Sequence, residues 1–303
     1  MKLVLHSPAG VLRQAAPVRR AAKRLGTLGF EVLIDEAALA RHQRFAGDDA
    51  TRLAALHRVA GERPDVALAT RGGYGLTRLL PAIDWKAIGR SVDAGTRWVG
   101  MSDLTALQLG LLAKRKGGIT WQGPLAADHF GRTADDGGVD DVTESCFGEA
   151  MSGALEGIGF RIGKGDAALD GLSVRGTLWG GNLSVLLSLL GTPFWPAVDR
   201  GILFLEDVNE HPYRVERGLL QLAQAGVLDR QRAIVLGAFT AWRASPNDRG
   251  YGLQSMVERV RAATRTPLLG GLPFGHVPTI VCLPVGADAR LMVDGRDAWL
   301  GWA

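Results

Sequence analysis

The sequence predicts an α/β protein, with an N-terminal parallel-sheet domain that carries a nucleophile-elbow-like turn and a C-terminal α/β domain richer in mixed or antiparallel β-structure. Three observations predict it. Short apolar runs alternate with helix-period segments from Met1 to about Arg115, the alternation dissolves into Asp- and Gly-rich sequence between about Arg132 and Ala168, and a half of different texture with several strand-like runs follows. The expected division is a first domain over 1–135, a linking region over 136–168 and a second domain over 169–303. A chain of 303 residues has room for two ordinary domains at roughly 100–200 residues each.

Taken in order, Met1–Leu5 reads as a buried strand that ends where Pro8 and Gly10 break the pattern. A helix from about Ala16 to Leu28 follows, then a strand over Phe30–Ile34. Asp48–Val59 is a helix with Leu53, Leu56 and Val59 on one face, and Asp65–Thr70 is the next strand. Arg97–Gly100 continues the series. A helix from Asp103 to about Arg115 comes after it, with Leu104, Leu107, Leu111 and Leu112 at i, i+3, i+7 and i+8. In the second half, strand-like runs at Ile202–Leu205, Ala233–Leu236, Thr279–Leu283 and Arg290–Val293 surround helices near Leu183–Leu190 and Tyr213–Gln224. Pro284, Val285 and Gly286 suggest a hairpin between the last two strands.

Composition excludes several classes. With 47% hydrophobic and 22% charged residues the chain is not globally disordered. Glycine stands at 41 residues, nearly twice its usual share, but without a Gly-X-Y period, so it marks tight turns and backbone-lined sites rather than collagen. A net charge of +4, spread without a basic block, gives no nucleic-acid partner. Cys146 and Cys282 lack ligand spacing, so neither a disulfide scaffold nor a zinc cluster is expected, and a reduced, cytoplasmic compartment fits. The first ten residues are too short an apolar run for a signal peptide, and no run reaches the ~20 residues of a membrane span.

Chemistry concentrates at a few places. Trp98-Val-Gly-Met-Ser102-Asp103 puts a serine where a strand stops and a helix starts, the setting of a nucleophile elbow with free N–H groups for an oxyanion. Leu104 stands where a G-x-S-x-G elbow has its second glycine, and a Ser-Asp pair at a helix start is also an ordinary cap. Arg71-Gly72-Gly73-Tyr74-Gly75 follows a strand and lets backbone approach a ligand closely, without matching a nucleotide-binding pattern. A second cluster, Gly176 to Ser184, reads as a packed turn with an Asn182 cap or as part of a pocket wall, with packing favoured. Among six histidines His276, set between prolines beside Gly275, is the best-placed base, with His6 as competitor; His42, His57, His129 and His211 suit solvated or capping roles. Glu206, closing an apolar strand, is the orienting acid, with Glu210 as its structural competitor. The order is then Ser, Glu, His, and such a set, drawn from both halves, would be expected at a domain interface.

These residues resemble the LD-carboxypeptidases, the muramoyl-tetrapeptide carboxypeptidases of cell-wall recycling with their microcin-immunity relatives. Ser7-Pro8, Phe45-Ala-Gly-Asp48, Arg71 to Gly75 with Arg78-Leu-Leu-Pro81, Gly100 to Asp103, Gln122-Gly-Pro124, Gly180 to Leu183 with Gly191-Thr-Pro193, Leu205-Glu-Asp207 with Pro212-Tyr-Arg214, and Gly275-His276 carry the resemblance in the family's order. The resemblance implies a serine peptidase in which Ser102 is the nucleophile, His276 the general base and then acid, and Glu206 the orienting carboxylate. It implies an oxyanion hole from the N–H of Asp103 and of Gly72 or Gly73. It also implies release of the terminal D-alanine from L-Ala-γ-D-Glu-diaminopimelate-D-Ala, no cofactor or metal, and a homodimer. Because such a substrate ends in a free carboxylate, a cation or an N–H nest is needed beside the site, and Arg71 or Arg214 could serve, with Tyr74 as a further contact. Met101 stands where the family commonly has an aromatic residue and Gln122 where it usually has histidine, and His211 falls in the Glu-x-Pro-Tyr stretch. These departures bear on substrate preference. An immunity-type hydrolase acting on a peptide-nucleotide conjugate, favoured by an aromatic-lined pocket near Trp121 or Trp179, and a non-catalytic ligand-binding protein are the other readings.

Overall fold

The computed structural model describes residues 1–115 and 117–302, which form two compact units. The first comprises Met1–Leu155, Leu189–Pro196 and Pro278–Gly286; the second comprises Glu156–Ser188, Ala197–Val277 and Ala287–Ala303. The chain therefore passes from one unit to the other at 155/156, inside the stretch expected as a linker, and that stretch carries regular structure. A helix occupies Asp141–Ser152 and a strand Gly157–Arg161. Later segments then return to the first unit, which a two-block reading of the sequence does not contain.

In the first unit the chain runs through β1 (Lys2–His6), α1 (Ala16–Thr27), β2 (Glu31–Ile34), α2 (Asp49–Glu62), β3 (Val66–Ala69), α3 (Leu76–Leu79), α4 (Trp85–Asp93), β4 (Arg97–Val99), α5 (Thr105–Lys114), β5 (Thr120–Gln122) and α6 (Asp141–Ser152). The strands β5-β4-β3-β1-β2 pair side by side in parallel. β3 is apolar and buried along its whole length and β1 is apolar at Leu3, Val4 and Leu5, so both are continuous runs rather than alternations. The helices start where an aspartate can accept from the exposed first-turn amides. Asp48 takes Thr51 N at 2.7 Å, Asp84 takes Ala87 N at 3.0 Å and Asp140 takes Thr143 N at 2.9 Å. Two of these three helices, α4 and α6, were missing from the expected elements although their caps were legible.

The second unit contains β6 (Gly157–Arg161), β7 (Ser173–Asn182), α7 (Leu183–Leu189), β8 (Ile202–Val208), α8 (Pro212–Gln224), β9 (Ala233–Thr240), α9 (Leu253–Arg261), β10 (Leu268–Leu269), β12 (Asp288–Asp294) and β13 (Asp297–Trp302). Its seven-stranded sheet has the order β10-β9-β8-β7-β12-β13-β6. The first four run parallel, and β7-β12-β13-β6 run antiparallel, so the sheet is mixed as expected. The Gly176 to Asn182 cluster is the end of β7 rather than a turn. Gly180 lies so close to β8 that a Cβ there would sit 1.9 Å from the carbonyl oxygen of Phe204. Its glycines therefore serve packing.

The hairpin expected at 284–286 is elsewhere. Leu283–Val285 forms β11, which pairs antiparallel with β5 in the first unit, whereas the hairpin joins β12 to β13 through Gly295 and Arg296. A three-residue strand names no partner in its own sequence, and residues 279–282, read as a strand, are not one. No helix among the described residues is long and apolar enough to cross a membrane.

Candidate active site

In the first unit, β4 ends at Val99 and a short 3-10 turn over Ser102–Leu104 leads into α5. Ser102 takes the left-handed conformation, φ +60°, which is uncommon for a residue with a Cβ. The following loop packs tightly on it. Gly72 has no side chain because a Cβ would lie 2.6 Å from Ser102 Cβ and 2.7 Å from its Oγ, and that same point is 3.6 Å from Asp103 N. Gly72 is fixed in turn by its carbonyl, which accepts from Gly10 N at 3.1 Å. The N–H groups of Gly72, Gly73 and Asp103 have no protein acceptor among the described residues.

Asp103 contributes more than its amide. Its buried carboxylate Oδ2 accepts the N–H of Leu76 at 2.8 Å, tying the 71–75 loop to the serine turn. Burial raises its pKa to about 6, opposed by the amides of Leu76 and Gly75 and the charges of Arg52 and Arg44. Met101 is fully buried, and Gln122 is buried with its Nε2 donating to Thr105 Oγ1 at 2.8 Å. Met101 and Gln122, two of the three departures from the family pattern, are therefore core residues.

In the second unit, Glu206 lies in β8 with its side chain fully buried. Its Oε2 is 2.8 Å from His276 Nδ1. An ionised carboxylate only accepts, so Nδ1 carries the hydrogen and the basic lone pair is on Nε2. Oε1 accepts Asn182 Nδ2 at 3.1 Å, and the same nitrogen donates to Asp207 Oδ1 at 3.0 Å. Asp207 Oδ2 accepts from Ser184 N and Oγ at 2.9 and 2.7 Å. The His276 carbonyl accepts Thr240 Oγ1 at 3.3 Å, holding the loop that presents the ring.

The structure thus joins Glu206 to His276 and joins Ser102 to Asp103 and the 71–75 loop, each set inside its own unit. His6 is buried edge-on to Trp98 with ring centroids 5.3 Å apart, and burial lowers its pKa to about 4, so it stays neutral in the core. Glu210 pairs with Arg214 at 3.8 Å. Arg214 is exposed there, and Arg71 donates from Nη1 to the carbonyl of Val11 at 2.7 Å. Tyr74 is exposed beside Phe45, ring centroids 5.9 Å apart. Asn182, Asp207 and Ser184 were not foreseen as site residues. Asn182 does cap α7, accepting Val185 N at 3.1 Å, and that role hid its second one. Trp179 is fully buried, and Trp121 lines a pocket of the first unit together with Val92, Thr96, Arg97 and Ile119.

Family models place an LD-carboxypeptidase N-terminal domain at residues 4–123 and an LD-carboxypeptidase C-terminal domain at 175–291. The murein tetrapeptide carboxypeptidase of Pseudomonas aeruginosa is 33% identical over 257 residues, covering 83% of this chain and 80% of that protein. The crystal structure of muramoyltetrapeptide carboxypeptidase from Oxalobacter formigenes superposes with a TM-score of 0.89 at 35% identity, covering 100% of this chain and 99% of the other. This chain belongs to the LD-carboxypeptidase family. Within that family it is also similar to the microcin C7 self-immunity protein MccF of Escherichia coli, 27% identical over 77% of this chain and 73% of MccF. As a member, it is a carboxypeptidase hydrolase.

Proposed function

We propose that this carboxypeptidase is a serine enzyme that releases the terminal D-alanine from L-Ala-γ-D-Glu-diaminopimelate-D-Ala, with Ser102, His276 and Glu206 as its triad. The observation that carries this reading is the backbone of Ser102: a non-glycine residue at φ +60° between a strand and a helix, pressed against Gly72. The Glu206–His276 pair supports it, because it leaves Nε2 as the base.

In this mechanism Ser102 Oγ attacks the scissile carbonyl as His276 Nε2 takes its proton. The amides of Asp103 and of Gly72 or Gly73 hold the oxyanion, and their lack of acceptors in the protein supports that role. The C–N bond breaks as His276 returns the proton to the departing D-alanine amine. Water then attacks the acyl-serine, giving its proton to His276, and the free serine is restored. Glu206 holds the imidazole in the correct tautomer and stabilises its charged form. A place in cytoplasmic peptidoglycan recycling, and action as a homodimer, belong to this proposal through the family resemblance alone.

Incubating the purified protein with the tetrapeptide and following D-alanine by mass spectrometry tests the reading. Release is expected from the wild type, and Ser102→Ala and His276→Ala are expected to reduce it by about 10⁴-fold or more while remaining folded. Full activity in Ser102→Ala contradicts it. Complete inhibition of the wild type by a chelator points to a metal instead.

A further inference from the structure

A carboxypeptidase must recognise the charge at the end of its substrate; of the two arginines that the sequence offered, Arg71 has one donor on the Val11 carbonyl and Arg214 pairs with Glu210. The segments around the 71–75 loop carry further guanidinium groups. Arg41 donates to the Arg13 carbonyl at 3.0 Å. Arg52 is buried and bonded to the Pro8 carbonyl and Asp49, and Arg78 reaches the same carboxylate at 2.7 Å. Arg44 differs: its side chain is exposed and makes no hydrogen bond or ion pair among the described residues. Its main chain is fixed, because its carbonyl accepts Val11 N at 2.9 Å and the next residue, Phe45, is buried.

The position of Arg44 is as informative as its freedom. Its guanidinium carbon lies 5.6 Å from the centroid of the Tyr74 ring, on the loop whose Gly72 abuts Ser102 Oγ. Its charge also acts on the carboxyl of Asp103, the neighbour of the nucleophile. A fixed backbone, a cation with unengaged donors and an aromatic ring beside it form a site for a planar carboxylate, which a guanidinium binds through two parallel hydrogen bonds. Resting on the serine carboxypeptidase reading above, we propose that Arg44 binds the free α-carboxylate of the departing C-terminal residue, with Tyr74 orienting its side chain.

The experiment compares the tetrapeptide with the same peptide ending in a carboxamide, in the wild type, Arg44→Gln and Arg44→Lys. The wild type is expected to favour the acid over the amide by roughly 10- to 100-fold in kcat/KM, the range that one or two charge-assisted hydrogen bonds supply. Arg44→Gln is expected to lose that preference, mainly through KM for the acid, and Arg44→Lys to retain part of it. A merely structural role for Arg44 would lower both substrates together. If Arg44→Gln keeps the wild-type ratio, the assignment is overturned. A wild type that cleaves neither peptide is a different result: it overturns the serine carboxypeptidase reading, and this proposal with it.

Discussion

Ser102 and His276 are held in place by different physics. In the first unit the serine is positioned by main chain: a left-handed φ, a glycine so close that an added Cβ would lie 2.7 Å from its Oγ, and a loop tied down by Leu76 N and Gly10 N. In the second, His276 is positioned by side chains, through Glu206, which is held by Asn182, itself shared with Asp207, which is anchored on Ser184. The backbone device has no spare volume and tolerates no added atom. The side-chain network tolerates volume and depends instead on every buried donor meeting an acceptor. Substitutions should therefore fail for different reasons in the two units.

Apart from replacing Ser102 or His276 themselves, the largest expected effect is in the network. Glu206→Gln places a donor and an acceptor where only an acceptor fits His276 Nδ1–H, so the ring loses its fixed tautomer. Activity should fall by about 10³- to 10⁴-fold, read as D-alanine release, with the fold intact by circular dichroism. Next comes Gly72→Ala, whose new methyl group overlaps Ser102. It should lower kcat by roughly 10²- to 10³-fold, the scale of one lost oxyanion donor, and leave substrate affinity nearly unchanged. A kcat within a few fold of wild type there would show that the loop yields, and the contrast between the units would weaken.

Asn182→Ala and Asn182→Asp sharpen the comparison. Both remove the donor to two buried carboxylates, but the aspartate keeps the oxygen that caps α7. Both should lose about 1–3 kcal/mol of stability in denaturant unfolding, and the aspartate should be the worse of the two because it adds a third negative charge. If the cap were the residue's whole contribution, Asn182→Asp would be nearly neutral.

The smallest effect is one that the wild type conceals. Asp103, raised from 3.8 to about 6, makes the folded state hold its proton more tightly, so its contribution to stability is lost as pH rises from about 4 to 6. His6, lowered from 6.5 to about 4, makes the unfolded state hold the proton more tightly, so its contribution is lost as pH falls through 6.5 to 4. The two slopes oppose each other across almost the same window. Thermal melts from pH 4 to 7 should show His6→Phe losing stability as pH rises to 6, and Asp103→Asn losing it as pH falls below 6.5, by up to about 3 kcal/mol in each case. Parallel pH profiles in the two variants would refute the paired assignment.

Much of this was legible in the residues, and the gaps have physical causes. The elbow at Ser102 announced itself because an apolar run, a glycine and a Ser-Asp pair follow one another within six residues. Glu206 was picked out as an acid ending an apolar strand, although β8 runs on through it to Val208, and His276 as a histidine set among Pro273, Gly275 and Pro278. Asn182 was read only as a cap, because pairing with Glu206 across adjacent parallel strands leaves no mark on local spacing. Gly176, Gly180 and Gly181 erased the strand pattern of β7 while making its close packing possible. The return of β11 to the first sheet was invisible, since three residues do not encode a partner more than 160 positions away.

The account rests on Ser102 being the nucleophile, and covalent trapping tests that most directly. A fluorophosphonate should add one adduct to the intact protein, mapped by peptide mass spectrometry to Ser102, absent in Ser102→Ala and formed far more slowly in His276→Ala. Labelling at another residue, or of equal extent in Ser102→Ala, would contradict it.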